Sequence, residues 1–255
     1  MSHKPLGKVY LVGAGPGAPD LLTLRAARIL ASAEVVFHDA LVHPDTLALA
    51  QRAEHVAVGK RCGRHSSAQA FINKRLVDAA RKYAVVVRLK GGDPMLFGRA
   101  QEEIDALNGA GIEFEVVPGV TTALAAAAQI GTSLTRRGVS RNVTFVTPRV
   151  GKSEQPSDWA RAVVAADTAV IYMGAGEAAE IRATLGARGV PMSTPVLLVE
   201  NVSLPGSREI GCTLGEIEWA ATQLGSGPCV IMLGEAMRDA SIASYPQKQA
   251  CWGTP

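Results

Sequence analysis

Closely spaced cysteines, clustered histidines and aromatic residues are the features that this sequence lacks. Its four cysteines, at positions 62, 212, 229 and 251, form no CxxC pair, and its five histidines form no HxxxH pair. These absences exclude a zinc knuckle and a thioredoxin-like redox motif, so we expect no metal cofactor. Aromatic residues make up 5% of the chain and accompany no nucleic-acid motif, so we also expect no nucleic-acid partner.

Long apolar runs are absent as well. No stretch approaches the roughly 18 apolar residues of a membrane-spanning helix, so no membrane partner is expected. The beginning of the chain lacks the apolar core of a signal peptide. That segment contains Pro16, Pro19, Asp20, Arg25 and Arg28 instead. Together these absences predict a cytoplasmic protein with reduced thiols.

Apolar residues and glycine, in contrast, are plentiful. Of the 255 residues, 47% are hydrophobic and 19% are charged, a balance that excludes an intrinsically disordered chain. At roughly 150 residues per domain, the length predicts one large domain or two compact ones. The 26 glycines exceed the usual share of about 7% and indicate many tight turns.

Short β-branched runs alternate with amphipathic helical patterns, which predicts a mainly parallel α/β architecture. A break near residues 120–141 divides the chain into two α/β domains, 1–120 and 121–240, followed by a flexible tail, 241–255. The predicted strands are 9–12, 35–38, 55–58, 85–89, 114–117, 143–146, 169–173, 196–200 and 229–233. The predicted helices are 21–33, 66–82, 94–108, 121–128, 159–166, 177–188 and 214–224.

The turn at 13–18 fits the GxGxxG/A pattern of dinucleotide-binding folds, and Asp39 stands where those folds place a ribose-binding carboxylate. Pro16 and Pro19 argue against that function, because they lack the N–H donors that hold a pyrophosphate. The glycines also fit the GxGxG of Rossmann-like methyltransferases, although Leu11 replaces their usual acidic residue. Dinucleotide binding, another glycine-rich ligand loop and a purely structural turn all remain open from these residues alone.

The formal net charge of +3 hides two basic segments. Residues 52–99 carry 11 basic and 3 acidic residues, and residues 116–153 carry 5 basic residues and no acidic one. Such charge usually marks a solvated face. Two separate basic segments also fit a single binding site for an anion.

Nine short motifs follow one another along the chain. They are LVGAGPG (11–17), LTL (22–24), HDALV (38–42), GKR (59–61), VRLKGGDP (87–94), FGR (97–99), EE (102–103), VVPGVT (116–121) and YMG (172–174). Each motif is weak alone. In this order they resemble the uroporphyrinogen-III C-methyltransferases, a family of tetrapyrrole methylases, over about residues 6–238.

The resemblance implies two α/β domains of the tetrapyrrole methylase type, with S-adenosylmethionine in the cleft between them, and a homodimer. The implied reaction is C-methylation of uroporphyrinogen III at C2 and C7. Its products are precorrin-2, a precursor of sirohaem and cobalamin, and S-adenosylhomocysteine. Many relatives are fused to a dehydrogenase/ferrochelatase domain; because this chain begins about seven residues before its first strand, we expect the stand-alone form.

The resemblance also implies catalytic residues. Asp39 and Lys60 match acid/base positions, and Arg99 and Glu102 are expected on one helix face, where they orient the substrate or assist proton removal. A loop cap at Asp39 and an ordinary surface ion pair between Arg99 and Glu102 are the alternatives.

Further residues match cofactor contacts of the family. They are Pro16, Gly91, Gly92, Asp93, Leu96, Thr121, Thr122, Met173 and Val202. Several have a structural alternative. Asp93 also suits a helix N-cap with Pro94 at the first helical position, the two threonines suit a cap for the next helix, and Met173 suits a core position.

Uroporphyrinogen III carries eight carboxylates, so its site should be cationic, and arginine is well suited to bidentate carboxylate binding. Arg99 and Arg137 are the expected substrate-binding residues. Further candidates are Arg61, Arg64, Arg141 and Arg149. The chain departs from the family pattern at Ala40, Arg136 and 147–149, which leaves open how the other carboxylates are held.

Overall fold

Two five-stranded sheets organise the residues described by the computed structural model, which are 5–58, 65–151, 155 and 157–242, with backbone only for 65–68 and 242. The chain divides between Thr121 and Thr122 into two compact units, each with one sheet. The expected α/β fold class is therefore correct for both units. Within the part of the chain that the structure describes, every helix is too short or too polar to cross a membrane.

The sheet of the first unit is entirely parallel. Its strands are β1 (Lys8–Gly13), β2 (Val35–His38), β3 (Glu54–Ala57), β4 (Val85–Lys90) and β5 (Phe114–Val117), in the order β3-β2-β4-β1-β5. Its helices are α1 (Leu24–Ser32), α2 (Pro44–Leu47), α3 (His65–Ala80) and α4 (Ala100–Gly109). Helices cover both faces of the sheet, which explains why β4 and β1 are largely buried.

The order of the strands creates a reversal at the centre of this sheet. The chain leaves β1 towards β2 and leaves β4 towards β5, in opposite directions across the sheet. Helix α1 packs on the face of Val12 and Leu89, whereas α3 and α4 pack on the face of Leu11 and Val86. Sheets of this kind place ligands at the carboxyl ends of the strands at such a reversal.

The second unit contains a mixed sheet. Its strands are β6 (Val143–Val146), β7 (Thr168–Tyr172), β8 (Pro195–Glu200), β9 (Arg208–Thr213) and β10 (Cys229–Gly234), in the order β6-β7-β10-β8-β9. Its helices are α5 (Thr122–Ile130), α6 (Trp159–Val164), α7 (Ala178–Ala187), α8 (Ile217–Thr222) and α9 (Arg238–Ile242).

Only β6 and β7 pair in parallel here, so the prediction of a mainly parallel architecture is wrong for the second unit. The prediction missed β9, whose residues are largely polar and partly exposed. The short loop at 201–207 cannot form a crossover, so β9 pairs antiparallel with β8. Helix α9 includes residues 241 and 242 of the predicted tail, and 243–255 lie outside the described residues.

Two predicted helix starts are wrong. The helix predicted from residue 94 begins at Ala100, because Phe97 and Arg99 have left-handed φ angles of 53° and 55° that interrupt a helix. The helix predicted from residue 21 begins at Leu24, where the Thr23 hydroxyl accepts a hydrogen bond from Ala26 N (3.1 Å) and forms the cap.

Candidate active site

Glycine loops meet at the carboxyl ends of β1 and β4. Gly15 N donates to Gly92 O (3.2 Å), and Gly92 N donates to Gly15 O (2.7 Å). Both residues have positive φ angles, 73° and 66°, which glycine adopts without strain. These two hydrogen bonds join the turn after β1 to the loop after β4.

A third loop, after β5, meets them at the same point. A Cβ atom on Gly13 would lie 2.6 Å from the Cα of Gly119 and 2.7 Å from the carbonyl oxygen of Gly92, and a Cβ atom on Gly119 would overlap that same oxygen. The three backbones approach so closely that no side chain fits between them.

Asp93 ties the loops together. Its Oδ2 accepts a hydrogen bond from Gly119 N (2.9 Å), and its Oδ1 accepts one from Met95 N (2.8 Å). The predicted helix N-cap at Asp93 is therefore wrong in detail, because the residue caps a turn and the helix begins six residues beyond Pro94, at Ala100. The carboxylate instead fixes the loop after β4 to the loop after β5.

The loops after β1 and β4 contain four further predicted cofactor residues, Pro16, Gly91, Gly92 and Leu96. Among the described residues, no atom lies within 4 Å of a Cβ position on Gly92, and the nearest to such a position on Gly91 is Leu41 Cβ at 3.7 Å. Pro16 and Leu96 are half-buried nearby in sequence. Open space over glycine backbone lets a ligand approach main-chain groups closely.

Asp39 follows β2 directly, on the same carboxyl edge of the sheet. Its side chain is 33% exposed, and its Oδ1 accepts a hydrogen bond from Arg88 Nη2 on β4. The structure thus places one predicted acid/base residue at the ligand-binding edge of a parallel sheet. The other, Lys60, lies outside the described residues.

A buried charged cluster lies under Asp39, and the sequence analysis missed it. Glu103 on α4 is fully buried, and its Oε1 accepts from Arg88 Nε (3.0 Å), Lys90 Nζ (2.9 Å) and Gln69 Nε2 (3.2 Å). The available signal was the spacing of Arg88 and Lys90, two charges on one face of an otherwise apolar strand.

The pKa values of the two buried cations shift in opposite directions. Burial and the neighbouring Arg88 lower the pKa of Lys90, and Glu103 offsets only part of that effect. Burial also acts to lower the pKa of Arg88, but Asp39 and Glu103 outweigh it and raise that pKa above its ordinary value. Arg88 is therefore the firmly charged member of the cluster.

Arg99 and Glu102 form the ion pair that was the structural alternative to their predicted catalytic role, which stays a prediction. Nε donates to Oε1 (2.7 Å) and Nη2 to Oε2 (2.8 Å), with both side chains about half exposed. Arg99 precedes α4 in a left-handed conformation, and Glu102 lies in the first turn. The pair therefore spans the start of the helix, and the prediction that both residues lie on one helix face is wrong.

Met173 follows β7 in the second unit. It has a φ angle of 56° and is 44% exposed, which excludes the core interpretation. The next residue, Gly174, is packed so tightly that a Cβ atom would lie 2.9 Å from Ile171 Cγ2 and 3.0 Å from Ile181 Cδ1. The chain turns inward at Gly174 and leaves Met173 outside the core.

The start of α5 is capped from β7. Ala123 N donates to the hydroxyl of Tyr172 (3.0 Å), the residue before Met173. Thr121 and Thr122, two predicted cofactor residues, are half-buried on either side of the division between the units. The tyrosine satisfies one of the N–H groups that a helix leaves open at its start.

Val202 lies between two residues with left-handed backbone in the loop after β8. Asn201 and Ser203 have φ angles of 52° and 64°, and Val202 itself is only 2% exposed. Gln129 Oε1 on α5 accepts a hydrogen bond from Ser203 N (2.8 Å) and holds the loop. Because the Val202 side chain is buried, its contact with a ligand would be made through the backbone.

The predicted substrate arginines of the second unit are exposed. Arg137 lies in the tight turn 136–140, which is closed by two backbone hydrogen bonds between its first and last residues (2.8 and 2.9 Å). Arg141 and Arg149 are also exposed. Two further candidates, Arg61 and Arg64, lie outside the described residues.

Comparison with known families identifies the kind of protein in which the glycine turn at 13–18 occurs. The family of tetrapyrrole (corrin/porphyrin) methylases matches residues 8–218. The chain is a tetrapyrrole methylase. The dinucleotide-binding interpretation is therefore wrong, and the structure gives a physical reason. Helix α1 begins at Leu24, after an extended Leu22, so its N-terminal N–H groups do not directly follow the glycines as a pyrophosphate site requires.

Two curated relatives illustrate the similarity of this tetrapyrrole methylase. It is 45% identical to the uroporphyrinogen-III C-methyltransferase of Pseudomonas aeruginosa over 241 residues, which is 94% of this chain and 97% of the relative. It is 44% identical to the siroheme synthase of Chromobacterium violaceum over 94% of this chain and 51% of the relative. The methylase thus spans about half the length of that siroheme synthase.

Solved structures share the fold of the methylase. The uroporphyrin-III C-methyltransferase of Thermus thermophilus complexed with S-adenosylhomocysteine has a TM-score of 0.78 and 40% identity, covering 91% of this chain and 94% of that chain. A cobalt precorrin-4 methyltransferase has a TM-score of 0.80 and 27% identity, covering 90% and 95%.

Replacing Gly119 by alanine should lower the free energy of unfolding of the methylase by roughly 1–3 kcal/mol, because the new methyl group overlaps the Gly92 carbonyl. Urea denaturation would measure the loss. Gly109→Ala is the matched control: it lies at the end of α4 with open space around it, so we expect no loss. Equal stability of the two variants would contradict the close contact between the loops.

Proposed function

We propose that this tetrapyrrole methylase transfers two methyl groups from S-adenosylmethionine to C2 and C7 of uroporphyrinogen III, giving precorrin-2 for sirohaem and cobalamin biosynthesis. The observation that carries the proposal is the 45% identity to a uroporphyrinogen-III C-methyltransferase over nearly all of both chains. The related Thermus thermophilus enzyme was solved with S-adenosylhomocysteine, the product of this donor.

The residues present fit a nucleoside-bearing donor. Gly92 leaves open space over the main chain at the carboxyl edge of a parallel sheet, and Met173 is exposed beside the tightly packed Gly174 in the second unit. The proposed donor contacts are Pro16, Gly91, Gly92, Asp93, Leu96, Thr121, Thr122, Met173 and Val202. S-adenosylmethionine, when bound, supplies an already electrophilic methyl group, so the protein has chiefly to align the reactants and exclude water.

The acceptor carbon belongs to an electron-rich pyrrole, and each methylation requires the ring system to lose one proton. Asp39 is partly exposed at the ligand-binding edge, so its carboxylate fits the role of proton acceptor. Lys60 fits a second acid/base role through the family resemblance. Arg99 and Glu102 fit roles in orienting the substrate and assisting the proton transfer.

The acceptor carries eight carboxylates and needs cationic contacts. The guanidinium of Arg99 is about half exposed and already oriented by Glu102 through two hydrogen bonds. Arg137 is exposed on a tight turn. Both side chains fit bidentate contacts with carboxylates of uroporphyrinogen III.

We also propose a cytoplasmic homodimer. The cytoplasm fits Cys212 and Cys229, which are free thiols whose pKa is raised by burial to about 12. The dimer follows from the family resemblance. Sedimentation equilibrium should give twice the chain mass of 26.6 kDa, and a mass equal to one chain at micromolar concentration would overturn this part of the proposal.

Anaerobic incubation with uroporphyrinogen III and methyl-labelled S-adenosylmethionine should yield precorrin-2 carrying two labels. The measurement is mass spectrometry of the tetrapyrrole product. Absence of a methylated product would overturn the proposed function. Methylation of a precorrin-4-type acceptor, with none of uroporphyrinogen III, would keep the family and change the substrate.

Replacing Arg99 by glutamine should raise the KM for uroporphyrinogen III about 10-fold or more, because a bidentate charged contact is lost. Steady-state kinetics would measure it. Arg238→Gln is the matched control, because Arg238 makes an equivalent bidentate pair with Glu235 three residues away (2.7 and 2.6 Å). A similar KM for both variants would show that Arg99 does not bind the substrate.

A further inference from the structure

Arg88 connects a buried carboxylate to the proposed proton acceptor. Its Nε donates to Glu103 Oε1 (3.0 Å), and its Nη2 donates to Asp39 Oδ1. We infer that Arg88 is a positioning residue that fixes the carboxylate of Asp39 for proton transfer. This inference rests on the proposed function, because it requires Asp39 to take part in the reaction.

The guanidinium of Arg88 is held on two sides before it reaches Asp39. Arg88 is 2% exposed, and its Nη1 donates to Leu89 O (3.1 Å). Its anchor Glu103 is fully buried and is itself fixed by hydrogen bonds from Lys90 and Gln69 to the same oxygen. With Nε and Nη1 engaged, the plane of the guanidinium is fixed, and one of the two N–H bonds of Nη2 is directed at Asp39.

Stability alone does not account for this cluster. Buried ion pairs carry a desolvation penalty, and apolar residues of similar volume often give equal or greater stability. In addition, Glu103 Oε2 is buried without a hydrogen-bond partner among the described residues, which is unfavourable. A buried charged cluster that adds little stability and ends at a candidate catalytic carboxylate is explained by a role in positioning that carboxylate.

The other charged groups around Asp39 do not duplicate this contact. Lys90 on β4 donates to Glu103 on α4, and the guanidinium of Arg75 on α3 lies over the Phe37 ring. The ring of His38, the neighbouring residue on β2, is within hydrogen-bond distance of the Asp39 backbone carbonyl and not of its carboxylate. Among the described residues, only Arg88 donates a hydrogen bond to the Asp39 carboxylate. Within that part of the chain, the orientation of the carboxylate therefore depends on Arg88.

Lysine at position 88 would keep the charge and lose the link. A single ammonium group on a flexible stem cannot occupy the places of Nε and Nη2 at once, whereas the guanidinium has a separate edge for each carboxylate. Arg88→Lys therefore tests positioning apart from charge. Arg88→Gln, which is shorter and neutral, serves as a second variant if the lysine variant does not fold.

A double-mutant cycle on kcat tests the inference. Arg88→Lys should lower kcat about 10- to 100-fold, by analogy with residues that orient metal ligands through hydrogen bonds, while the Kd for S-adenosylhomocysteine measured by calorimetry stays unchanged. Asp39→Asn should lower kcat at least as much. The double variant should match Asp39→Asn, because no carboxylate remains to be positioned.

A double variant slower than Asp39→Asn by the whole Arg88→Lys factor would overturn the inference and leave the proposed function intact. Wild-type kcat in Asp39→Asn would overturn both the role of Asp39 and the inference. Absence of methyl transfer in the unaltered enzyme would overturn the proposed function, and the inference with it. Leu76→Ala, a change at a fully buried position on α3, is the control. Its fold-effect on kcat should be the same in the unaltered enzyme and in the Asp39→Asn variant, so that the two effects multiply.

Discussion

Close contact between the glycine backbones of three loops is the constraint on which the first unit depends. In a parallel sheet the loops after neighbouring strands emerge side by side, and here β4, β1 and β5 are neighbours. Their loops meet at Gly13, Gly92 and Gly119, where a Cβ on Gly13 or Gly119 would collide with a neighbouring backbone. The surface at this edge of the sheet is therefore main chain, whose N–H and C=O groups are placed by the fold and not by side-chain rotamers.

The second unit presents its candidate residues in another way. Met173, Asn201 and Ser203 are non-glycine residues with left-handed backbone at the ends of strands. Each such residue costs of order 1 kcal/mol or more and persists only where its surroundings hold it. Close packing at Gly174 and the hydrogen bond from Ser203 to Gln129 supply that support. Strain of this kind concentrates at functional sites, and here it occurs at Met173 and on either side of Val202, two residues proposed to contact the donor.

An element could be predicted from the sequence when local interactions form it, and it was missed or misplaced when it depends on other parts of the structure. Strands β2, β5 and β6 were predicted with the observed bounds, because short apolar runs between turn residues are local signals. Strand β9 was missed, since a polar edge strand is defined by its partner and not by its own pattern. The start of α4 was misplaced because it depends on left-handed residues that sequence patterns do not reveal.

The same distinction applies to the candidate site. The family motifs named Asp39, Arg99 and the glycine loops, and the structure brought Asp39 and the glycine loops to one edge of a sheet. The support beneath them could not be predicted, because Glu103 joins Arg88 across 15 residues and Asp93 joins Gly119 across 26. Such contacts exist only after β4 has packed against α4 and β5 has joined the sheet.

Because three donors share one oxygen of Glu103, the residues of this cluster should be conserved or exchanged together during evolution. Three donors, from Arg88, Lys90 and Gln69, converge on one atom. Replacing Glu103 would remove the shared acceptor of three buried donors, and replacing any one donor would take a hydrogen bond from a buried carboxylate, so each first step is unfavourable even where a different complete set would be acceptable. Lineages should therefore keep all four residues or exchange several together, and intermediate combinations should be rare among homologues.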